Sequence, residues 1–431
     1  MVLGTDYLNI PVPEFISREK NLGNFDIMEK MVNDNENNYD EDTMKRLNYE
    51  LFRTKILKLN YGLSRKKLLA EMEKYVKDFS SMDVENYIKN GTLDRIYLEG
   101  EERFFNRSIE NLHYLNNNIR EKSAFNISPN KAFLEYVSRK ISMGNIGKYR
   151  IKYEISIKFE RSGTYKVWLP VPLENDYQKN VKIIETYPKN YRILEGEQRS
   201  LYMYDTSEVF KAVFSLETQD VTIRDGDVNS RKDIYLEEKF PHVSITPYIE
   251  KMAEKITSEE TVNLKKLLKL YKFITEKIRF AYAKSYLLYD NISEYTLSNM
   301  VGDSCMQSIL LIAMARSLNI PARWRGGYVI SENSIIPHHW AEVYTEEYGF
   351  IPVDPVFGNY SLNHYNLREF YFGNMEGLRI ITSGDFNVDF SEPGKFWRLD
   401  PVTNDLGEVE TDSEKVINHR TEIKLLGIEN Y

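Results

Sequence analysis

The segment GDSCMQSILLIAMARSLNIPARW, residues 302–324, decides the fold of this 431-residue chain. A glycine turn opens a run from Ser304 to Leu318 that is apolar on nearly all sides, which predicts a buried helix. Pro321 cannot continue that helix, and the residues after it are rich in β-forming types. A buried helix followed by an antiparallel sheet is typical of an α+β core, so we predict the α+β fold class. The strands predicted after the helix are Trp324–Ile330, Trp340–Thr345 and Gly349–Val353.

Two short segments after the helix add residue types that suit nucleophilic catalysis. HHWAEVY, residues 338–344, predicts a strand that begins with two histidines, and YGFIPVDP, residues 348–355, predicts a strand that ends in an aspartate. A nucleophile at a helix N-terminus has its anion stabilised by the helix dipole and by free N–H groups. An imidazole on a neighbouring strand can take its proton, and a carboxylate can fix the tautomer of that imidazole. The chain therefore offers a nucleophile, a base and an orienting carboxylate in a suitable order.

These motifs resemble the core of the bacterial transglutaminase-like superfamily, a papain-type fold with a Cys–His–Asp site. The resemblance is strongest over residues 302–358, and residues 1–145 do not share it. It implies acyl transfer on an amide or thioester carbonyl. The segments that carry it most clearly are RSLNIPAR at 316–323, HHWAEVY at 338–344 and GFIPVD at 349–354. Weaker similarity covers VWLPVP at 167–172, QRSLYMY at 198–204 and GNMEGLRIITSGDF at 373–386.

The resemblance assigns the base and the orienting carboxylate. The family's catalytic histidine lies two residues before the motif tryptophan, so Trp340 points to His338 as the base. Asp354 matches the carboxylate that orients the imidazole. His339 falls at the variable position and on a strand would face the other way, which predicts a surface or partly buried residue.

The family's nucleophilic cysteine aligns with a serine in this chain. The nucleophile lies twelve residues before the motif arginine, here Arg316, and two after a glycine, and both counts lead to Ser304. The single thiol, Cys305, is the next residue, and one helical residue is a rotation of about 100°, so both side chains cannot face one histidine. Three interpretations stay open: Ser304 replaces a native cysteine by engineering, the helix start is shifted so that Cys305 is the nucleophile, or the serine is natural. In the last case the protein is a non-catalytic relative or a serine variant, and the weakness of a hydroxyl nucleophile disfavours an efficient serine enzyme.

Further residues are predicted to line the acyl-binding cleft. Glycine lets a substrate approach the backbone closely, which suits Gly326 and Gly327. Gln307 fits the cleft or the exposed edge of the helix equally well. Trp340 also fits a structural role, shielding the His–Asp pair. The full predicted set is Gln307, Trp324, Gly326, Gly327 and Trp340.

Composition excludes several classes of protein and site. The chain has 57 Lys and Arg against 65 Asp and Glu, a net charge of −8, which argues against a nucleic-acid partner. One cysteine and six scattered histidines indicate neither a disulfide framework nor a metal site, so we predict no cofactor. The most apolar stretch, Ile309–Ala315, is too short to span a membrane. The acidic N-terminus shows no signal peptide, so we expect a soluble cytoplasmic protein, although an exported form trimmed of its signal would look the same.

Hydrophobic periodicity divides the chain into four regions. We predict a helical region over residues 1–145 with an irregular start, a β-sandwich-like domain over 146–240, the catalytic core over 241–400 and a C-terminal tail over 401–431. Predicted helices in the first region are Met44–Asn60, Ser64–Phe79, Glu101–Arg120 and Ser128–Ile141. Predicted strands of the second are Tyr149–Phe159, Thr164–Leu169, Val181–Thr186, Ser200–Tyr204 and Glu208–Leu216. Predicted early helices of the core are Pro247–Ile256 and Thr261–Arg279.

The sequence therefore predicts a transglutaminase-like acyl-transfer enzyme. Its acyl-enzyme is resolved by water, as in a peptidase or amidase, or by an amine, as in an amide-forming acyltransferase. The expected substrates are peptides, proteins or acyl thioesters, and the helical region suits docking of a carrier protein or peptide. The rival hypothesis is a binding or scaffolding protein that keeps the fold without the chemistry.

Overall fold

The computed structural model describes residues 6–122, 131–143, 147–228, 233–331, 334–360 and 365–431. The chain divides into two compact units. One contains residues 2–128 together with the short segment 280–289, and the other contains residues 129–279 and 290–431. The predicted boundary between the helical region and the β-sandwich-like domain, at residues 145 and 146, lies outside the described residues. Within the described ranges, no helix is both long enough and apolar enough to cross a bilayer.

The first unit is mainly helical. Ser64 caps a helix there, because its hydroxyl accepts the Lys67 N–H. Gly23 ends the first helix with φ +78°, and a Cβ at this position would lie 1.8 Å from the Tyr97 carbonyl oxygen, so glycine is required. The helices are Glu14–Leu22 (α1), Phe25–Asp34 (α2), Glu41–Asn60 (α3), Arg65–Glu73 (α4), Ser81–Lys89 (α5), Ser108–Leu115 (α6) and Asn117–Lys122 (α7). A hairpin joins Arg95–Leu98 (β1) to Glu101–Phe104 (β2).

A buried carboxylate, Glu50, organises the charges of this unit. It is fully buried on α3 and pairs with Lys20 at 2.5 Å, with Arg53 at 3.0 Å and with Arg46. Burial alone would raise the pKa of Glu50, but the three cations lower it to about 2. Arg53 also donates to the Leu288 carbonyl oxygen at 3.0 Å, which ties the 280–289 segment to α3. Further side chains that hold this segment are Asn60, Asp94 and Asn111.

The strands predicted for the second region belong to one six-stranded antiparallel sheet, in which Tyr149–Phe159 and Thr164–Leu169 are parts of one long strand, as are Ser200–Tyr204 and Glu208–Leu216. Its longest strand alternates exposed and buried residues over Lys148–Tyr153, as expected for a strand with one buried face. The segment interpreted as a tail, residues 401–431, supplies two strands that pair with it. The strands are Lys148–Pro170 (β3), Gln178–Tyr187 (β4), Arg192–Leu194 (β5), Ser200–Gln219 (β6), Glu408–Glu410 (β11) and Arg420–Asn430 (β12).

The predicted α+β core is present and surrounds one buried helix. That helix, Ser304–Ser317 (α12), is buried at all its positions from Ser304 to Arg316. The other helices are Lys131–Met143 (α8), Pro247–Thr257 (α9), Asn263–Lys277 (α10), Ile292–Asn299 (α11), Pro355–Tyr360 (α13) and Tyr365–Phe370 (α14). The antiparallel sheet of the core has the order β10-β7-β8-β9, with Ala322–Ser331 (β7), Ser334–Thr345 (β8), Gly349–Val353 (β9) and Arg379–Ser383 (β10).

The two sheets share one hydrophobic core. Buried residues of β3 and β6 pack in the same cluster as residues of β7, β8 and β10. The rings of Tyr153 and Tyr328, one from each sheet, lie 6.0 Å apart. The six-stranded sheet is therefore one layer, and the sheet of the core provides its partner layer. Strands β7 and β8 also contact α12.

Candidate active site

The start of α12 is held by a set of short-range contacts. The Asp303 carboxylate caps the helix by accepting the Met306 N–H at 3.1 Å, so Ser304 becomes its first residue. Gln307 donates its side-chain N–H to the Gly302 carbonyl oxygen at 2.9 Å. A Cβ on Gly302 would lie 2.8 Å from the Met306 Cβ, so the turn before the helix needs glycine. These contacts fix the backbone that carries position 304.

Ser304 lies in a hydrogen-bonded series with an imidazole and a carboxylate. Its Oγ is 3.3 Å from His339 Nδ1, and His339 Nε2 is 2.5 Å from Asp405 Oδ2. On the same face of α12, Ser308 Oγ donates to the His339 carbonyl oxygen at 3.2 Å. Ser304 is 8% exposed, and His339 and Asp405 are each 4% exposed. A hydroxyl, an imidazole and a carboxylate in this order are the parts of an activated nucleophile.

His338 belongs to a second, separate network. Its Nε2 lies 2.7 Å from Asp354 Oδ2, and Arg379 donates to the same carboxylate oxygen at 2.7 Å. The other oxygen of Asp354 accepts the Phe357 N–H at 3.0 Å, which places the carboxylate at the start of α13. Glu376 accepts a hydrogen bond from Arg379 at 2.7 Å and completes the network. Neighbouring histidines of β8 thus form two separate buried pairs with aspartates from other parts of the fold.

The alternation of strand β8 separates the two histidines. Neighbouring residues of a strand project to opposite faces, so only one of the two imidazoles can face Ser304. The structure places Ser304 and Asp405 on the His339 side. Our interpretation of His339 as a surface or partly buried residue is therefore wrong, because helix α12 and the segment around Asp405 cover it. Sequence reasoning missed Asp405 altogether, since it lies 66 residues beyond His339 with no motif around it.

The two neighbouring nucleophile candidates lie in different surroundings. Ser304 reaches an imidazole, whereas Cys305, the second residue of α12, is fully buried. The contact of Ser304 agrees with the counts from Arg316 and Gly302 that place the family's nucleophile at this position. The catalytic roles of Ser304, Cys305, His338 and Asp354 stay predictions.

Charge around His339 favours its protonated form. Burial alone would lower the pKa of His339, but the attraction of Asp405 and the hydrogen bond to it raise that pKa above the usual value. Asp303 adds to the effect with its negative charge, and Asp400 does so when it is ionised. A buried imidazolium beside a helix N-terminus is suited to stabilising an anion at position 304.

The pKa of His338 is shifted in the opposite direction, below the usual value for histidine. Burial lowers the pKa of His338, and Asp354 does not compensate fully because Arg379 neutralises the same carboxylate. Burial would raise the pKa of Asp354, yet His338 and Arg379 together lower it to about 2. His338 is thus favoured as a neutral imidazole bound to an ionised carboxylate.

The residues predicted to line the cleft are all buried. Trp324 stacks on the His339 ring with 4.9 Å between ring centroids. A Cβ on Gly326 would lie 2.8 Å from Trp324 Nε1 and 3.1 Å from His339 Cδ2, so this glycine makes room for the stacked pair. The buried set is Gln307, Trp324, Gly326, Gly327 and Trp340, and their contact with substrate stays a prediction.

Other motif residues have structural partners. Gly327 has φ +153°, and a Cβ there would lie 2.0 Å from the Ile380 carbonyl oxygen, so it allows β7 and β10 to pair. Glu342 pairs with Arg323 at 2.6 Å and with Arg325 at 3.1 Å. Burial would raise the pKa of Glu342, but these arginines lower it to about 2. In the described part of the chain, no group of three or more His, Cys, Asp or Glu side chains is arranged to hold a metal ion.

Comparison with known proteins supports the fold of this region. The family model of the transglutaminase-like superfamily matches residues 250–355, which confirms the resemblance for this segment. The match includes Ser304, both histidines and Asp354, and ends before Asp405. No curated protein matches the chain.

Three of the solved structures that the chain resembles have the following similarity to it. A candidate cysteine protease from Cytophaga hutchinsonii is 17% identical with a TM-score of 0.45, over 66% of this chain and 92% of that chain. The periplasmic domain of TgpA from Pseudomonas aeruginosa is 11% identical with a TM-score of 0.31, over 51% of this chain and 92% of that chain. A candidate protease from Parabacteroides distasonis is 9% identical with a TM-score of 0.21, over 49% of this chain and 67% of that chain.

Proposed function

We propose that this chain is an acyl-transfer enzyme of the transglutaminase-like class whose nucleophile is the side chain at position 304. The observation that supports the proposal is the series from Ser304 Oγ to His339 Nδ1, at 3.3 Å, and from His339 Nε2 to Asp405, at 2.5 Å. The proposal departs from the family pattern in one respect, because it assigns the base role to His339 and not to His338.

The proposed reaction proceeds through an acyl-enzyme. The 304 side chain attacks the carbonyl carbon of an amide or thioester, and its proton passes to His339 Nδ1. Backbone N–H groups in the first turn of α12 stabilise the oxyanion of the tetrahedral intermediate. His339 then returns the proton to the leaving amine or thiol as the carbonyl re-forms. Water or a second amine resolves the acyl-enzyme, which gives hydrolysis or amide formation.

The charge on His339 predicts how the nucleophile affects the rate. A serine nucleophile needs a neutral imidazole to accept its proton, whereas a thiolate forms an ion pair with an imidazolium. Because Asp405 and Asp303 favour the imidazolium, the serine form should be slow and a cysteine at position 304 should be fast. The charges around position 304 thus suit a cysteine better than the serine that the sequence has there.

A second candidate function is binding without chemistry. It is favoured by the hydroxyl in the nucleophile position together with the deep burial of Ser304 and His339. In that case the fold presents peptides, proteins or a carrier protein to another enzyme. The same substrate classes apply to both candidates, and the helical region is the proposed docking element for a carrier.

Acyl-enzyme formation distinguishes the two functions. The protein and its Ser304→Cys and Ser304→Ala variants are incubated with a glutamine peptide, a peptide amide and a peptide thioester, and adducts are measured by intact mass. We expect the acyl adduct and release of ammonia, amine or thiol to be fastest in Ser304→Cys and absent in Ser304→Ala. Cys305→Ala is the matched control and should retain the activity of its parent. If Ser304→Cys matches Ser304→Ala with every donor, the enzymatic proposal is wrong and the binding function is favoured.

A further inference from the structure

Residues 400–405 form a turn with an aspartate at each end, Asp400 and Asp405. This turn lies outside residues 250–355, the segment that matches the family model. Asp400 Oδ1 accepts the Val402 N–H at 2.8 Å and the Thr403 N–H at 2.9 Å, which closes the turn. The Thr403 hydroxyl oxygen lies 3.0 Å from Asp400 Oδ2 and 3.1 Å from Asp405 Oδ2. Thr403 and Asp405 are buried, and Asp400 is partly buried. One hydroxyl therefore stands between two carboxylate oxygens, one of which contacts His339.

The number of hydrogen atoms available between Asp400, Thr403 and Asp405 restricts how the two carboxylates can be protonated. A threonine hydroxyl carries a single hydrogen, so it can donate to only one carboxylate at a time. With Asp400 and Asp405 both ionised, one of the two oxygen–oxygen contacts has no hydrogen and two anions face the same hydroxyl. With a proton on Asp400 Oδ2, Asp400 donates to Thr403 and Thr403 donates to Asp405. Each contact in the series then has one hydrogen.

We propose that Asp400 is a positioning residue that carries a proton while Asp405 is ionised, and that Thr403 transmits this arrangement to the Asp405–His339 pair. The series then runs from Asp400 through Thr403, Asp405 and His339 to Ser304. The effect of this series on catalysis rests on the proposed function, whereas the protonation of Asp400 is independent of it.

The electrostatics of the turn agree with this assignment. Burial raises the pKa of Asp400 to about 6, with a further contribution from Asp405, against the stabilising N–H bonds and Arg398. The Asp400 N–H is bound by Glu408 at 2.9 Å, and Lys415 pairs with Glu408, so that neighbouring carboxylate is compensated. The charged groups that act on this series are Asp303 from the start of α12, Arg398 and Asp405 from the turn region, and Glu408 and Lys415 from the adjoining strand and loop.

The series predicts a pH dependence with a defined sign. Below about pH 6 the chain of hydrogen bonds is complete and Asp405 is held by Thr403. Above that pH Asp400 ionises and competes for the Thr403 hydrogen, which loosens Asp405. The added negative charge also stabilises the imidazolium, so His339 should lose its proton at a higher pH than it would beside a neutral Asp400.

Nuclear magnetic resonance of the histidine rings tests the assignment directly. Long-range ¹H–¹⁵N spectra of the full chain are recorded over pH, and the His339 signals are assigned with His339→Gln and His338→Gln. We expect the His339 shifts to show an additional inflection near pH 6. Asp400→Asn, which keeps a donor towards Thr403 and removes the charge, should abolish that inflection and lower the pKa of His339. Thr403→Val should weaken the inflection and Thr403→Ser should restore it, which separates transmission from a general loss of structure.

Two outcomes separate this inference from the proposed function. If His339 titrates identically in the parent, Asp400→Asn and Thr403→Val, the inference is overturned even if acyl-enzyme forms. If the His339 inflection responds to the variants as expected but no donor acylates the protein, the inference about Asp400 is confirmed and the enzymatic proposal is wrong. In the Ser304→Cys background, Asp400→Asn should also remove the step near pH 6 from the pH profile of acylation, whereas a purely structural role would lower the rate equally at all pH values.

Discussion

Replacing Ser304 by cysteine should create a thiol that ionises far below its usual range. The double variant Ser304→Cys/Cys305→Ala keeps one thiol in the chain and places it at the start of α12, where Oγ now lies 3.3 Å from His339 Nδ1. The imidazolium, favoured by Asp405, and the N-terminal helix dipole both stabilise a thiolate at this point.

The size of the effect follows from the distance. Two opposite unit charges separated by 3.3 Å attract by about 5 kcal/mol at an effective dielectric constant of roughly 20. That energy corresponds to a pKa shift of about 3.7, since one pKa step is about 1.4 kcal/mol. The negative charge of Asp405 opposes part of this attraction, so we expect a shift of at least about 2. The thiol pKa should then fall from about 8.5 to about 6.5 or lower, within the range of activated cysteines.

The pH dependence of alkylation measures this pKa. Rates of reaction with iodoacetamide are followed by intact mass from pH 4 to pH 10 in the double variant. Adding His339→Gln should return the thiol pKa to about 8 or above, whereas the matched variant His338→Gln should leave it low. A thiol with a pKa near 8.5 in the double variant, or one that depends on His338 and not on His339, would refute the reasoning.

Three other changes test the remaining structural claims. Glu50→Gln leaves the surrounding cations without their counter-charge and should lower the free energy of unfolding by about 3–5 kcal/mol in urea denaturation. The pKa of Glu50 is lowered to about 2 in the folded protein. The carboxylate should therefore stabilise the fold fully above the ordinary glutamate pKa, and this stabilisation should be lost as the pH falls towards 2. If the stability of the parent protein does not change with pH in this range, the charge network assigned to Glu50 is wrong. Gly327→Ala should destabilise the core by about 3 kcal/mol or more, since the methyl group meets the facing strand, while the control Gly427→Ala should change stability by less than about 0.5 kcal/mol. Arg379→Gln removes the cation that shares the carboxylate of His338 and should raise the pKa of His338 in a histidine titration, and an unchanged pKa would show that Arg379 does not set it.

The elements of the core could be predicted because their patterns are local. Helix α12 is apolar on all sides and begins after a glycine turn, and its observed range Ser304–Ser317 matches the predicted Ser304–Leu318 within one residue. Strand β9 spans the predicted Gly349–Val353. The start of the helical region was predicted to be irregular, yet it contains α1 and α2, whose narrow apolar stripes pack in one cluster. Tertiary packing decided the structure there.

Other predictions were wrong where the sequence pattern was too short to interpret or where distant segments pair. The prediction of a helix over Glu101–Arg120 was wrong at its start, because Glu101–Phe104 pairs as a hairpin strand before α6 begins at Ser108. Four residues are too few to show a period. The pairing of residues 401–431 with β3 was not readable either, because it joins segments more than two hundred residues apart.

The residues of the candidate site also differ in whether the sequence could predict them. The motifs located Ser304 and the His338–Asp354 pair, since each is defined by short spacing. They could not show which histidine faces Ser304, because that depends on the face of β8 that α12 covers. Asp405 was invisible for the same reason, since only the three-dimensional fold brings residues 400–405 to His339.

The most direct test of the central claim is the position of the acyl group on the protein. The chain, with serine at 304, is treated with an activated ester at neutral pH, and the modified residue is located by peptide mass spectrometry. We predict acylation of Ser304 that is retained in Cys305→Ala and His338→Gln and lost in His339→Gln and Asp405→Asn. Acylation of Cys305, or acylation of Ser304 that requires His338 and is unaffected by His339→Gln, would contradict the account.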